Sequence, residues 1–278
     1  MFIDIKVDVD RAINWFKNYN SVIVAFSGGV DSSVVAALAK MALGDRAYAV
    51  TGISFSVPED EVKEAEELAR LIGINHLTVQ TDEFENEMYL RNMPDRCYHC
   101  KIELSDKLLK LKEELGVDII VDGTNADDVK GHRPGYQAVK EHGIRSPLLE
   151  LGIGKQKVRE IASYLKLPVA DKPASACLSS RVMYGQRIEV EDLLKISKAE
   201  SLIKRLSGAK LVRVRLHGNL ARIEVGKDER KLLFNEQLLD EITRELTNLG
   251  FAYVTLDLSG YESGSMLRPF IIPKRVQS

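Results

Sequence analysis

The run Val22-Ile23-Val24-Ala25-Phe26 reads as a strand. It is followed at once by Ser27-Gly28-Gly29-Val30-Asp31-Ser32-Ser33 and an Ala/Leu-rich helical stretch reaching Met41. This order restricts the chain to folds in which a strand passes into a helix through a tight turn. The paired glycines permit φ > 0 and leave no Cβ between the backbone amides and a ligand. The following helix directs its free N–H groups and positive dipole end at the same point. Ser27, Ser32 and Ser33 add hydroxyl donors, and Asp31 can reach a cation bound to a phosphate. The spacing matches neither the GxxxxGK[ST] phosphate loop nor the GxGxxG dinucleotide turn. The other reading is an ordinary glycine-rich strand-to-helix turn.

Downstream, strand-like runs alternate with amphipathic helices. Tyr48–Ile53 precedes Glu59–Ile72, where Val62, Ala65, Leu68, Ala69 and Ile72 repeat at helical spacing. Leu77–Gln80 precedes a helix over Phe84–Arg91, and a stripe of Leu104, Leu108, Leu111 and Leu115 precedes the apolar run Val117–Val121. Lys155–Leu165 reads as a further helix, stopped by Pro168. Such alternation predicts an α/β fold, a parallel sheet with helices on both faces. Ligands in these sheets bind beyond the carboxyl ends of the strands. Ser27–Ser33, Ser54–Ser56 and Gly123–Asp128 are therefore expected around one crevice.

From about residue 185 the pattern changes, and we expect a domain over 1–184 and a small α+β domain over 185–278. A helix over Val190–Leu206 leads into two alternating runs around His217-Gly218-Asn219, a hairpin signature. A helix over Asp228–Leu249, with a break near Asn235, and a strand over Tyr253–Leu258 follow; the Gly/Ser-rich tail from Ser259 reads as loose.

The 278 residues, 45% hydrophobic and 29% charged, suit a soluble globular protein. A net charge of −2 provides no basic field for nucleic acid. No apolar run approaches the roughly 18 residues of a membrane span, and no signal sequence is evident. A cytoplasmic protein with no membrane or nucleic-acid partner is the expectation.

Three cysteines in a reducing compartment argue against a disulfide framework. Cys97 and Cys100 flank Tyr98-His99, and Cys177 lies in Pro173-Ala174-Ser175-Ala176-Cys177-Leu178-Ser179-Ser180-Arg181. A CxxC by itself is compatible with a redox pair, half a zinc site or chance. Arg96, His99, Lys101 and Arg181 would favour thiolates at both segments. Buried, inert cysteines are the alternative.

The Ser27–Ser32 turn resembles the SGGxDS loop of the PP-loop ATP pyrophosphatases, which cleave ATP to AMP and pyrophosphate while adenylating a substrate. Several segments together extend the resemblance over essentially the whole chain: Asp122-Gly123-Thr124-Asn125-Ala126-Asp127-Asp128, Arg133-Pro134-Gly135, Ser146-Pro147-Leu148-Leu149-Glu150, Ala176–Arg181, Arg213-Val214-Arg215 and Ala221–Val225. In that order they look like the LarE family of ATP-dependent sulfur transferases. The resemblance implies conversion of the carboxylates of pyridinium-3,5-biscarboxylic acid mononucleotide to thiocarboxylates, in biosynthesis of the nickel-pincer nucleotide cofactor. It implies ATP on Ser27, Gly28, Gly29, Asp31, Ser32, Ser33, Ser54, Gly123, Asn125 and Asp127, with Mg²⁺ on Asp31 and on Asp127 or Asp128. Homo-oligomers, hexamers in the family, are implied as well.

Two sulfur sources are open. Cys177 could attack and lose its own sulfur, leaving dehydroalanine. Alternatively Cys97, Cys100 and Cys177 could hold a [4Fe–4S] cluster whose fourth iron lacks a protein ligand. In the family a lone cysteine goes with sacrifice and an added CxxC with the cluster, so this chain favours the cluster. Zinc on the three cysteines and His99 is a further alternative.

Arg213 and Arg215 alternate along a strand and so share a face, which makes a clamp for phosphate or carboxylate. A solvated edge-strand face is the other reading. Arg181 can join the clamp, and by resemblance so does Lys101. By resemblance again, Glu200, Glu224 and Asp228 hold a divalent cation, against the alternative of ordinary surface acids. Rival functions are a tRNA thiolase, an NAD synthetase-like ligase, which needs none of the cysteines, and a non-catalytic nucleotide sensor.

Overall fold

The computed structural model describes residues 2–129, 134–173, 176–262 and 264–268. Arg133, Ala174 and Ser175 therefore lie outside the described residues. The chain begins with α1 (Phe2–Phe16), which the sequence reading does not anticipate. Its buried Ile5, Val9, Ala12 and Phe16 fall at helical spacing. Then come β1 (Val22–Ala25), α2 (Val30–Leu43), β2 (Ala47–Ile53), α3 (Glu59–Ile72), β3 (Asn75–Gln80), α4 (Glu87–Leu90), α5 (Arg96–Leu115), β4 (Ile119–Val121), α6 (Pro134–Glu141), α7 (Pro147–Glu150) and α8 (Lys155–Tyr164). The stretch expected as one helix over Phe84–Arg91 is instead a short 3-10 turn, Glu83–Glu85, followed by the four-residue α4.

The strands form a parallel sheet in the order β3-β2-β1-β4, with Val22 opposite both Ala47 and Ile119. The connection reverses direction between β1 and β4, the switch point where such sheets bind ligands. Alternating strand residues divide between two cores. Val22 and Val24 pack with α1, α2, α3 and α8 through Phe16, Leu38, Leu68 and Ile161. Ile23 points the other way and packs with Val50, Leu108 and Val139 of the α5–α6 side.

The remainder comprises α9 (Val190–Ser207), β5 (Val212–His217), β6 (Leu220–Val225), α10 (Glu236–Asn248) and β7 (Tyr253–Leu256). β5 and β6 pair antiparallel, and β7 joins β6 in parallel. A 3-10 stretch, Lys227–Leu233, precedes α10, and Asn235 caps α10 by accepting from Leu238 N at 3.0 Å. The segment after Ser259, expected to be loose, is packed through much of its described length. Tyr261 N bonds Val225 O at 2.7 Å and Ser265 Oγ bonds Glu224 at 2.8 Å.

The chain divides into two compact units, one of residues 1–89 and 95–175, the other of residues 90–94 and 176–278. The short strap 90–94 is held wholly inside the second unit. Asn92 Nδ2 donates to the carbonyls of Val182, Met183 and Gln186 at 3.3, 2.9 and 3.1 Å, while Asn92 O accepts from Gly185 N. Asn92 is buried with φ 54°, a left-handed conformation that asparagine tolerates better than most residues.

Candidate active site

At the end of β1 the chain turns through Gly28 at φ 66°, where an added Cβ would lie 3.0 Å from Cβ of Ala65. Only glycine meets both demands. Gly29 is the N-cap of α2, so the first amides of that helix open onto the turn. Ser27 Oγ and Ser32 Oγ lie 3.2 Å apart, and Ser32 Oγ also donates to Gly29 O at 3.1 Å. Ser33 is fully buried and gives its hydroxyl to Gly29 O at 2.7 Å, which stiffens the turn.

Across the switch point, the loop after β4 is tied down by Asp122. Its carboxylate accepts from Thr124 N at 3.1 Å, Thr124 Oγ1 at 2.5 Å and Ser146 Oγ at 2.6 Å. Gly123 lies so close to α2 that an added Cβ would be 2.7 Å from Ser32 N. Gly123→Ala is therefore expected to destabilise the protein by about 2 kcal/mol, a loss of roughly 5 °C in Tm by thermal unfolding. An unchanged melting curve would contradict this contact.

Asn125, buried, joins the two sides. Its Nδ2 donates to Asp31 Oδ1 at 3.1 Å and Asp128 Oδ2 at 2.7 Å, and its Oδ1 accepts from Asp127 N at 2.9 Å. Asp127 Oδ2 accepts from Lys155 N, at the start of α8, at 2.8 Å. Lys155 Nζ reaches Asp31 Oδ2 at 2.5 Å. Two helix N-termini, of α2 and α8, thus meet around three carboxylates and one ammonium. Lys155, a residue the sequence reading places only in a helix, is central here. Asp31 is thus paired with the Lys155 ammonium, and carboxylate oxygens of this kind are chemically suited to Mg²⁺.

Ser54 lies beyond the carboxyl end of β2 and is buried, its hydroxyl given to Glu83 Oε1 at 2.5 Å. Cys97 and Cys100 occupy the first turn of α5, three residues apart and hence on one face, with Cys97 exposed and Cys100 half-buried. The residues between them are engaged elsewhere. Tyr98 donates to Glu141 at 2.6 Å, and His99, the extra ligand of the zinc alternative, sits 3.6 Å from Asp95. Lys101 follows in the same helix, and Gly135 of α6 approaches it so closely that a Cβ would lie 3.3 Å from Lys101 Cγ. Two thiols one helical turn apart are a donor set for soft metals. Among the described residues no three His, Cys, Asp or Glu side chains are gathered closely enough to hold a metal ion.

Within the second unit, Cys177 is half-buried at the start of a 3-10 turn, Leu178–Arg181. Its carbonyl accepts from Ser180 Oγ at 2.8 Å and Arg181 Nη1 at 2.8 Å; Arg181 also bonds Ala176 O. Arg181 in turn makes a two-point contact with Glu200, at 2.9 and 3.2 Å. Arg213 and Arg215 are 7% and 5% exposed, so their shared face is not a solvated one. Arg215 pairs with Glu224 at 2.8 Å, Arg213 stands 3.8 Å from Glu200, and both guanidiniums lie 5.9 Å from the Tyr261 ring. Burial, and then the neighbouring Arg181, lower the pKa of Arg213 from its ordinary value. Three buried guanidiniums against two buried carboxylates leave an excess of positive charge that an anion would relieve. One chain does not bring Glu200, Glu224 and Asp228 together as a cation site. Both oxygens of Glu200 and of Glu224 already accept hydrogen bonds, and Asp228 is exposed.

The NAD synthase family profile matches residues 9–101, the span carrying the glycine turn and the first three strands. The pyridinium-3,5-bisthiocarboxylic acid mononucleotide synthase of Lactiplantibacillus plantarum is 36% identical over 90% of both chains. The chain belongs to the LarE family. Other relatives matching along their length are uncharacterized proteins of Synechocystis, 46% identical over 91% of this chain and 94% of its own, and of Methanocaldococcus jannaschii, 34% identical over 89% and 93%. This LarE-family chain is thus an ATP-using, sulfur-transferring enzyme on the PP-loop fold. No helix among its described residues is long and apolar enough to cross a membrane.

Proposed function

We propose that this enzyme adenylates the carboxylates of pyridinium-3,5-biscarboxylic acid mononucleotide and converts them to thiocarboxylates, releasing AMP and pyrophosphate. The observation that carries this reading is full-length similarity to a synthase named for the bisthiocarboxylic product. The crevice around Asp31 supports it chemically. A carboxylate is a poor acyl donor because its leaving group would be oxide. Attack of its oxygen on the α-phosphorus of ATP expels pyrophosphate and converts that oxygen into part of an AMP leaving group. The amides of Gly28 and Gly29, the α2 N-terminus and Lys155 suit the departing pyrophosphate. Mg²⁺ on Asp31 with Asp127 or Asp128 would supply counter-charge for the phosphates.

In this reading the first unit carries ATP, and the second holds the substrate anion on Arg181, Arg213 and Arg215 while fixing Cys177 through its carbonyl. Cys97, Cys100 and Cys177 would supply the thiolates for a [4Fe–4S] cluster, whose chemistry would be to deliver sulfur at the sulfide level. Sulfur then displaces AMP from the acyl carbon. A homo-oligomer belongs to the same proposal. The test is anaerobic isolation with iron and labile-sulfide analysis, followed by multiple-turnover assays. Close to four irons per chain and more than one thiocarboxylate per chain are expected. A colourless protein that stops after one sulfur, with dehydroalanine at 177, would overturn the cluster and favour sacrifice.

A further inference from the structure

Arg213 and Arg215 leave the same face of β5, about 7 Å apart along the strand. Both are buried, and like charges withdrawn from water repel more strongly than exposed ones. Arg215 has a close partner in Glu224 at 2.8 Å, whereas Arg213 stands 3.8 Å from Glu200. That distance is too long for a hydrogen bond, so Glu200 offsets the charge of Arg213 without orienting it.

A single ring lies against both guanidiniums. The Tyr261 centroid is 5.9 Å from the guanidinium carbon of Arg213 and 5.9 Å from that of Arg215. The negative π-face of the ring attracts both cations. Because guanidinium N–H groups lie in the guanidinium plane, an aromatic ring against the face does not consume these donors. The ring is in turn held through its backbone. Tyr261 N donates to Val225 O at 2.7 Å, and Gly260 packs so closely that an added Cβ would lie 2.9 Å from the same carbonyl. Four residues later, Ser265 Oγ donates to Glu224 Oε1 at 2.8 Å, and Met266 Sδ accepts from Arg222 Nη2 at 3.4 Å. The segment is therefore pinned to β6 at the ring and again beyond it.

Resting on the substrate reading above, we propose that Tyr261 is a positioning residue whose ring holds the Arg213 and Arg215 guanidiniums as one preformed clamp for the substrate anion. Ordering two long side chains in advance removes a cost that binding would otherwise carry. Tyr261 acts through the arginines, so its loss weakens capture of the substrate and leaves ATP binding alone.

The test is steady-state kinetics and calorimetry on the wild type, Tyr261→Leu and Tyr261→Phe, varying pyridinium-3,5-biscarboxylic acid mononucleotide and ATP in turn. Tyr261→Leu should weaken mononucleotide binding and raise its KM about tenfold, the scale of two lost cation–π contacts. The kcat and the KM for ATP should stay at wild-type values, and Tyr261→Phe, which keeps the ring, should restore mononucleotide binding. Replacing Tyr261 by phenylalanine bearing successive ring fluorines keeps the shape while draining the π-face, and should weaken mononucleotide binding step by step. This series decides the matter even if Tyr261→Leu fails to fold. Unchanged affinity along it overturns the role of Tyr261. So does an equal rise of both KM values in Tyr261→Leu, which marks general damage, or a failure of Tyr261→Phe to rescue. A wild type that binds no mononucleotide overturns the substrate reading itself.

Discussion

Cys177→Ala is expected to abolish thiocarboxylate formation while ATP-dependent pyrophosphate release remains measurable, at least as a burst of about one equivalent per chain. The two effects separate because the residues involved lie in different units. The groups suited to ATP, Gly28, Asp31, Asn125 and Lys155, belong to the first unit, and Cys177 belongs to the second. The substitution removes only the sulfur. The contacts of Ser180 and Arg181 to residue 177 go to its backbone carbonyl, which alanine keeps. Mass spectrometry of the product and a coupled pyrophosphate assay measure the two steps. Sulfur transfer at the wild-type rate would overturn the assignment of Cys177. Loss of pyrophosphate release as well would mean that the residue serves adenylation.

Lys155→Ala should slow pyrophosphate release by about a hundredfold, the usual scale for losing one preorganised charge at a reacting phosphate. In the structure the ammonium rests on Asp31 at 2.5 Å. A divalent cation entering beside Asp31 would compete with Lys155 for that carboxylate, and incoming phosphates would compete with Asp31 for the ammonium, leaving Lys155 to face the departing oxygens. The ammonium stands at the first position of α8, so its charge adds to the positive end of the helix dipole. Lys155→Arg should retain more activity than Lys155→Ala, because charge persists while geometry changes. Equal rates for wild type and Lys155→Ala in steady-state pyrophosphate assays would remove Lys155 from the chemistry.

Much of the fold is legible in the sequence because its signals are local. The strand, the glycine turn and the helix that follow each other over 22–43 are contiguous, and the hairpin around Gly218 shows plain alternation. Helix α1 is harder to see because charged residues break up its apolar positions, although Ile5, Val9, Ala12 and Phe16 keep the helical interval. The CxxC looks separate from the leucine stripe downstream, yet α5 runs unbroken from Arg96 through both. Its first turn is polar and carries no apolar periodicity to extend the pattern upstream. Lys155 escapes notice for another reason. Its meaning depends on Asp31, 124 residues earlier, and no local pattern encodes such a pairing. Burial of Arg213 and Arg215 is likewise invisible, since alternating cations on a strand ordinarily face water.

The strap around Asn92 makes synthesis order consequential. Its acceptors are the carbonyls of Val182, Met183 and Gln186, which the ribosome produces some 90 residues later. Until that downstream stretch emerges, the peptide just ahead of Cys97 has no place to settle. A truncation ending before residue 182 would remove all three acceptors, and because residues 90–94 interrupt the first unit along the chain, no single cut separates the two units.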